Sequence, residues 1–325
     1  MNTRPRVSNT PVTPSMPSIG GPHAKALIES MTEFNRSMGF SLRLRPSTRA
    51  QGVGGDTAPR RWDTNTDCGV DVAGCCAMDY DEPEKPVDAF VVGPDPCVYF
   101  PDRTAHAIVV ESDEDIKPMV YSHLAREGFR RTGSTFYLPD CDGCNACIPL
   151  RVVVDAFRPN RRFRRVLARN DDLDLTIVDA LDEVEEHFAL YRRYIAGRHP
   201  GGSMYPPSAK QFLQLTQSYG VETLALDWRK DGTLVASAIT DVLDHGLAAV
   251  YTFFDPDLAD RSLGVLAILH QIAECQRRSL PHLYLGYWLE EVRRMRYKSE
   301  YRPAEVLRDG TWLPLDPMVE GRIAP

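Results

Sequence analysis

The sequence predicts an α/β (α+β) fold, and three observations in its second half carry that expectation. Strand-like and helix-like periods alternate from residue 173 onward. Short turns at Asp231-Gly232 and His245-Gly246 separate three apolar segments, the signature of a hairpin meander. A long amphipathic stretch, Ser262 to Arg278, then returns the chain to another apolar strand. In order, Leu173–Val178 reads as a strand and Val184–Ala196 as a helix. A second helix follows Ser208, a residue suited to capping, and stops before Gly220. Val221–Trp228, Thr233–Val242 and Leu247–Phe254 are the meander. Leu283–Trp288 is a strand, Glu291–Tyr297 a short helix, and Asp309-Gly310 the turn of a last hairpin.

This β-α-α-β-β-β-α-β-α-β order resembles the acyltransferase fold of the GCN5-related N-acetyltransferases. The first half reads as a smaller, related lobe. There Cys97–Phe100 and Ala107–Glu111 alternate like strands, and Pro118–Glu127 is helical with Pro in its first turn and Gly128 after its end. Phe129–Leu138 and Leu150–Phe157 read as strands joined by a cysteine loop. The expected organisation is therefore a poorly ordered extension (1–85), an N-terminal transferase lobe with the cysteine loop (86–165) and a C-terminal acyltransferase-like domain (166–325). The extension is rich in Pro, Ser, Thr and Gly, with one amphipathic segment, Ala24–Phe40.

Composition narrows the function classes. The 325 residues are 43% apolar, enough for a sizeable core, yet no apolar run reaches eighteen residues and no signal-like apolar region follows the N-terminus. The expectation is a cytoplasmic protein without a membrane partner, whose eight cysteines are reduced, metal-bound or catalytic. The net charge of −7 argues against broad nucleic-acid affinity, but the segment 158–170 holds six arginines and no acid. Arg158, Arg161, Arg162, Arg164, Arg165 and Arg169 suit local contact with phosphates, at a tRNA end for instance. The competing reading is a solvated face paired with Asp171, Asp172 and Asp174.

Several long blocks resemble the arginyl-tRNA–protein transferases, and most closely their bacterial leucyl-transferring branch that acts on N-terminal Asp and Glu. They are PCVYFPDRTA (ending at Ala105), YSHLAREGFRRTGSTFYLPDCDGCNACIPLRV (121–152), FRPNRRFRRVLARNDDL (157–173), LYRRYIAGRHPGGSM (190–204), VYTFFDPDLADRSLGVLAILHQI (250–272) and LYLGYWLEEVRRMRYKSEYRPAEVL (283–307). The resemblance implies attack by the α-amine of a protein on the aminoacyl ester of a charged tRNA. Its product begins with Leu, a destabilising residue in bacterial proteolysis. Such a site needs a neutral amine, donors for an oxyanion and a proton for the ribose leaving group. The ester is already activated, so transfer requires no cofactor.

Candidate residues follow. Asp260-Arg261-Ser262-Leu263-Gly264 opens the long helix where the related acetyltransferases hold a phosphate; Arg261, Ser262 and Gly264 are candidates to meet the tRNA terminus. Leu266 stands where the acetyl-CoA fingerprint has a small residue. Tyr284, Gly286 and Trp288 fall on one side of a regular strand and are candidate substrate contacts. Tyr297 and Lys298 are candidates to supply the leaving-group proton or hold the acceptor carboxylate. Arg198 is the first candidate for reading an acidic N-terminus, with His199 as general base and Gly201, Gly202 and Ser203 as an anion-facing loop. Each has a plainer alternative: helix termination for Arg198, packed core for Tyr284 and Trp288.

Cys97, Cys141, Cys144 and Cys147 could together hold zinc or an iron–sulfur cluster by the softness of thiolates. Eukaryotic relatives carry such a group on N-terminal cysteines in a different spacing. A tight loop of reduced thiols is the alternative. Cys68, Cys75 and Cys76 lie in the extension, and Cys275 reads as core. Two other functions remain open at this point: an acetyl-CoA-dependent N-acetyltransferase and a non-catalytic tRNA- or peptide-binding protein. Leucine versus arginine as the transferred residue also stays open.

Overall fold

The structure is a computed structural model that describes residues 42–44, 87–111, 118–179, 181, 184–217 and 220–315. The segment Ala24–Phe40 and the cysteines Cys68, Cys75 and Cys76 lie outside the described residues. Two sheets organise the chain. The smaller contains β1 (Leu42–Leu44), β2 (Val87–Pro96), β3 (Thr104–Glu111), β4 (Arg130–Thr132) and β5 (Thr135–Pro139), in the order β1-β2-β3-β5-β4. Helix α1 (Pro118–Arg126) packs on it. The larger sheet runs β13-β12-β6-β11-β10-β9-β8-β7. Its strands are β6 (Ile148–Val153), β7 (Asp174–Val178), β8 (Thr223–Lys230), β9 (Thr233–Leu243), β10 (Gly246–Phe254), β11 (His282–Trp288), β12 (Ala304–Arg308) and β13 (Thr311–Pro314).

The remaining helices are α2 (Arg161–Arg169), α3 (Val184–Arg198), α4 (Ala209–Thr216), α5 (Leu263–Arg277) and the single turn α6 (Arg293–Arg296). From β7 onward the element order is the one read as an acyltransferase fold. Three details depart from the sequence reading. Cys97–Phe100 is a loop, not a strand: the ladder ends at Pro96 opposite Thr104, and Cys97 N–H closes the turn on the Arg103 carbonyl at 3.0 Å. Phe129–Leu138 is two strands, because Gly133 turns the chain at φ +63°. The expected extension (1–85) also holds a strand, since the backbone of Leu42–Leu44 pairs parallel with β2.

Strand alternation sorts the large sheet into two faces. Leu226, Trp228, Leu247, Leu283 and Leu285 pack under α5 and α2, whose Phe163 and Val166 are the only buried residues of that arginine-rich helix. On the other face α3 and α4 cover Ala225, Ile239 and Phe253, while α1 and the small sheet cover Leu243, Ala248, Tyr284 and Tyr287. Strand β6, which the sequence places in the segment 86–165, sits inside the large sheet between β11 and β12. Cys275 is fully buried on α5.

One buried ion pair joins the two sheets. Arg131 on β4 meets Asp241 on β9 with two bonds of 2.7 Å, and the side chains are 1% and 0% exposed. Its remaining Nη1 donors reach the carbonyls of Gly133 and Gln217, and Thr223 donates to Asp241 Oδ1 at 2.8 Å. Removing one member of such a pair strands a buried charge. Asp241→Ala is therefore expected to lower stability by about 3–5 kcal/mol, read as a shift in the urea unfolding midpoint. A loss below about 1 kcal/mol, the range of a surface pair, would show that the bridge does not tie the sheets.

Candidate active site

Most neighbours in the large sheet are antiparallel, but β10 and β11 are parallel, which is why the fifteen-residue helix α5 must cross between them. Their pairing covers only Gly246–Ala248 against His282–Tyr284. Beyond that the strands part. Bulges fall at the same level on both: at Val250, between the pairs Ala249/Thr240 and Tyr251/Ile239, and at Leu285. They leave a gap, and the far end of β10 meets the start of α5 through Gly264 and the end of α3 through Tyr194, both against Phe254.

Into this gap the small sheet sends Arg130. Its Nη2 donates to the carbonyls of Ala249 (3.1 Å) and Val250 (3.0 Å). Successive carbonyls of a regular strand point opposite ways, so the bulge is what aims both at one cation. Gly286, at φ +69°, makes the room: a β-carbon there would fall 2.0 Å from Arg130 Nη1. This residue escaped the sequence reading. The signal present was a doublet of arginines, Arg130-Arg131, inside a segment read as a strand.

The end of α3 forms one wall. Tyr194 packs on Phe254 of β10 with centroids 4.8 Å apart, and its hydroxyl meets His199 Nε2 at 3.2 Å. Burial, then the charges of Arg198 and Arg294, hold the His199 pKa below the usual histidine value, so the ring is neutral near pH 7. Arg198 is exposed, lies 5.9 Å from the Phe254 ring, and has no carboxylate partner among the described residues. Gly201, Gly202 and Ser203 are exposed. The Gly202 N–H is spent on the His199 carbonyl at 3.0 Å, so this loop closes a turn and does not aim that donor at a ligand.

The start of α5 forms the opposite wall. Ser262 takes a left-handed backbone (φ 58°, ψ 45°) and offers no side-chain cap, which leaves the first amides of the helix without that partner. Gly264 faces Phe254; a β-carbon there would touch the ring at 3.6 Å. Arg261 points elsewhere. It grips Asp172 with bonds of 2.7 and 2.9 Å and fixes the turn to the loop after α2. Asp172 was read as a partner for the arginine run. Within that run Arg162 pairs instead with Glu300, Arg158 binds the carbonyls of Asp155 and Phe157, and Arg169 binds that of Asp260. Arg161, Arg164 and Arg165 remain on the exposed face of α2.

The strand β11 corrects the expectation that Tyr284, Gly286 and Trp288 share a side. The bulge at Leu285 breaks the alternation, so Tyr284 and Tyr287 face α1 while Trp288 is buried under α5, 2% exposed. Tyr284 sits at the closed end of the gap, its hydroxyl held by His245 Nε2 (2.6 Å) and Arg151 Nη1 (3.0 Å). Tyr297 is 37% exposed at the open end. Lys298 beside it is buried and donates to the Tyr287 carbonyl at 2.7 Å. Burial, reinforced by Arg130, pushes its pKa well below the lysine range. It does not present a charged amine to a carboxylate at the mouth.

Cys97, Cys141, Cys144 and Cys147 line one cavity with Arg103 and Ile148. Burial and the neighbouring thiols push Cys147 up to about 12. The Sγ of Cys141 accepts from His106 N–H and that of Cys144 from Arg103, both at 3.4 Å. The donor set suits a soft metal. As arranged, however, no three His, Cys, Asp or Glu side chains among the described residues are placed to close on one ion.

This geometry stands beside clear relatives. The model of the arginine-tRNA-protein transferase C terminus matches residues 186–308, and that of its N terminus residues 95–165. An aspartate/glutamate leucyltransferase of Marinobacter nauticus is 48% identical over 69% of this chain and 94% of its own. One of Alcanivorax borkumensis is 48% identical over 66% of this chain and 89% of its own. A GCN5-related glucosamine N-acetyltransferase region of a fungal enzyme superposes with a TM-score of 0.33 at 10% identity, over 68% of this chain and 24% of that one, too slight a likeness to argue from. Both family models fall on the elements that build the gap, in chain order, and the chain belongs to the arginine-tRNA-protein transferase family.

Proposed function

We propose that this protein moves leucine from charged tRNA to the α-amine of proteins that begin with Asp or Glu; its relatives are named aspartate/glutamate leucyltransferases and its family arginine-tRNA-protein transferase. The observation that carries the reading is the parted β10–β11 pair, walled by an uncapped helix start on one side and by Arg198 and neutral His199 on the other. The ester is seated in the gap. The first amides of α5 face the negatively charged tRNA terminus, where the helix dipole favours an anion. Arg198 takes the acidic side chain of the acceptor in a fork. His199, neutral and fixed by Tyr194, receives the proton of the attacking amine. Tyr297 stands at the mouth as the donor to the ribose leaving group. The exposed arginines of α2 neutralise tRNA phosphates. The activated ester supplies the driving force, so no cofactor is needed for the transfer. A cluster on the four cysteines would require the loop to tighten, and no step is routed through one. The product carries a destabilising N-terminus for proteolysis, and the cytoplasm, where charged tRNA is made, is the place of action. No helix among the described residues is long and apolar enough to cross a membrane.

Single-turnover transfer from labelled Leu-tRNA and Arg-tRNA to peptides starting with Asp, Glu or Ala tests this directly. Transfer of leucine to the acidic peptides alone is expected. Saturable micromolar binding of acetyl-CoA without aminoacyl transfer would overturn it. Arg198→Ala is expected to slow transfer to the acidic peptides at least about 30-fold, near 2 kcal/mol of transition-state binding.

Removing the Arg198 charge favours protonated His199, so its pKa rises. An NMR titration should find the wild-type midpoint below about 6.5 and the Arg198→Ala midpoint above the wild-type one. Equal midpoints would remove Arg198 from the surroundings of His199. Charge reversal at Arg161 and Arg165 is expected to weaken tRNA binding and flatten its salt dependence; an unchanged slope would place the tRNA elsewhere.

A further inference from the structure

Arg130 is costly to place where it lies. It is half-buried between two strands, and it has no carboxylate partner among the described residues. Tyr99, Tyr121, Tyr137 and Tyr287 surround it with aromatic rings and hydroxyls. A partly desolvated guanidinium without a counter-charge persists only where its geometry is over-determined by other contacts. Here two carbonyls of a bulge converge on it from β10, and on β11 a glycine in the left-handed region vacates the volume it fills. Both strands are thus shaped around this one side chain, which comes from the other sheet. Its neighbour Arg131 anchors β4 to β9 through Asp241, so the reach of Arg130 into the gap is fixed from behind.

We infer that Arg130 is a positioning residue for transfer: wedged between β10 and β11, it sets the separation and the carbonyl direction of the bulge against which the aminoacyl ester is seated. Only a planar fork satisfies both sides. A lysine reaches the two carbonyls as a point charge but leaves the space beside Gly286 open. The role rests on the reading that the gap is the seat of transfer, and it makes a prediction that a general loss of folding does not.

Arg130→Lys and Arg130→Ala are compared with the wild-type protein by thermal melting, Leu-tRNA binding, single-turnover transfer and backbone hydrogen exchange, with and without millimolar guanidinium chloride. Arg130→Lys is expected to bind Leu-tRNA as the wild type does while transferring leucine at least about 10-fold more slowly. In both variants exchange is expected to rise at residues 249–251 and 286–288. Guanidinium, which fits the vacated notch, should restore protection and several-fold of the lost rate in Arg130→Ala and leave the wild type unchanged. Wild-type transfer rates in Arg130→Lys, or unaltered exchange at the two bulges, would overturn the inference. A wild-type protein that transfers no leucine would overturn the proposed reaction instead, and the exchange data would still decide whether Arg130 braces the strands.

Discussion

The bidentate bridge between Arg131 and Asp241 is the interaction on which the rest of this molecule turns. A guanidinium and a carboxylate taken fully out of water are tolerable only when their hydrogen-bonding capacity is met. Here Gly133, Gln217 and Thr223 supply the further partners. Because adjacent residues on a strand point opposite ways, locking Arg131 onto β9 directs Arg130 away from it, toward the parting of β10 and β11. One short strand of the small sheet thereby fixes both how the sheets dock and what lies at the heart of the larger one.

The site follows from a topological necessity. A single parallel pair in an antiparallel sheet demands a crossover helix, and the start of that helix, without a side-chain cap, lies against Phe254 at the end of β10. Helix α3 ends against the same strand through Tyr194 and Phe254, so Arg198 and His199 arrive there as well. Each wall carries a group that fits one element of aminoacyl transfer. The residues that hold the walls, Arg261 on Asp172 and Lys298 on the Tyr287 carbonyl, are themselves spent on structure.

The cysteine loop is a separate structural unit between β5 and β6. Its three thiols, two of which accept hydrogen bonds from His106 and Arg103, line a cavity with Cys97, which follows β2. Its connection to the gap is through Cys147, which packs against the cluster that holds Tyr284 and Tyr287.

The periods of the second half, the cap at Ser208 and the Asp309-Gly310 turn were legible in the sequence because each is a local preference of backbone and side chain. The amphipathic α2, which buries Phe163 and Val166 and leaves Arg161 and Arg165 in water, is absent from that reading, which takes 158–170 as a basic segment and assigns it no helix. What the tertiary structure alone decided lies where strands from distant parts of the chain meet. Strict alternation put Tyr284, Gly286 and Trp288 on one face, and a bulge at Leu285, set by pairing with β6 some 130 residues earlier, separated them. Lys298 reads as a proton donor or a carboxylate contact, but burial turns it onto a carbonyl. Arg130 escapes the sequence reading altogether, because Gly286 and the bulge at Val250, which leave space for it, lie more than a hundred residues along the chain. Local sequence determines which elements form and which faces are wet; a wedge, a buried charge and a broken register depend on long-range partners, and no local period encodes them.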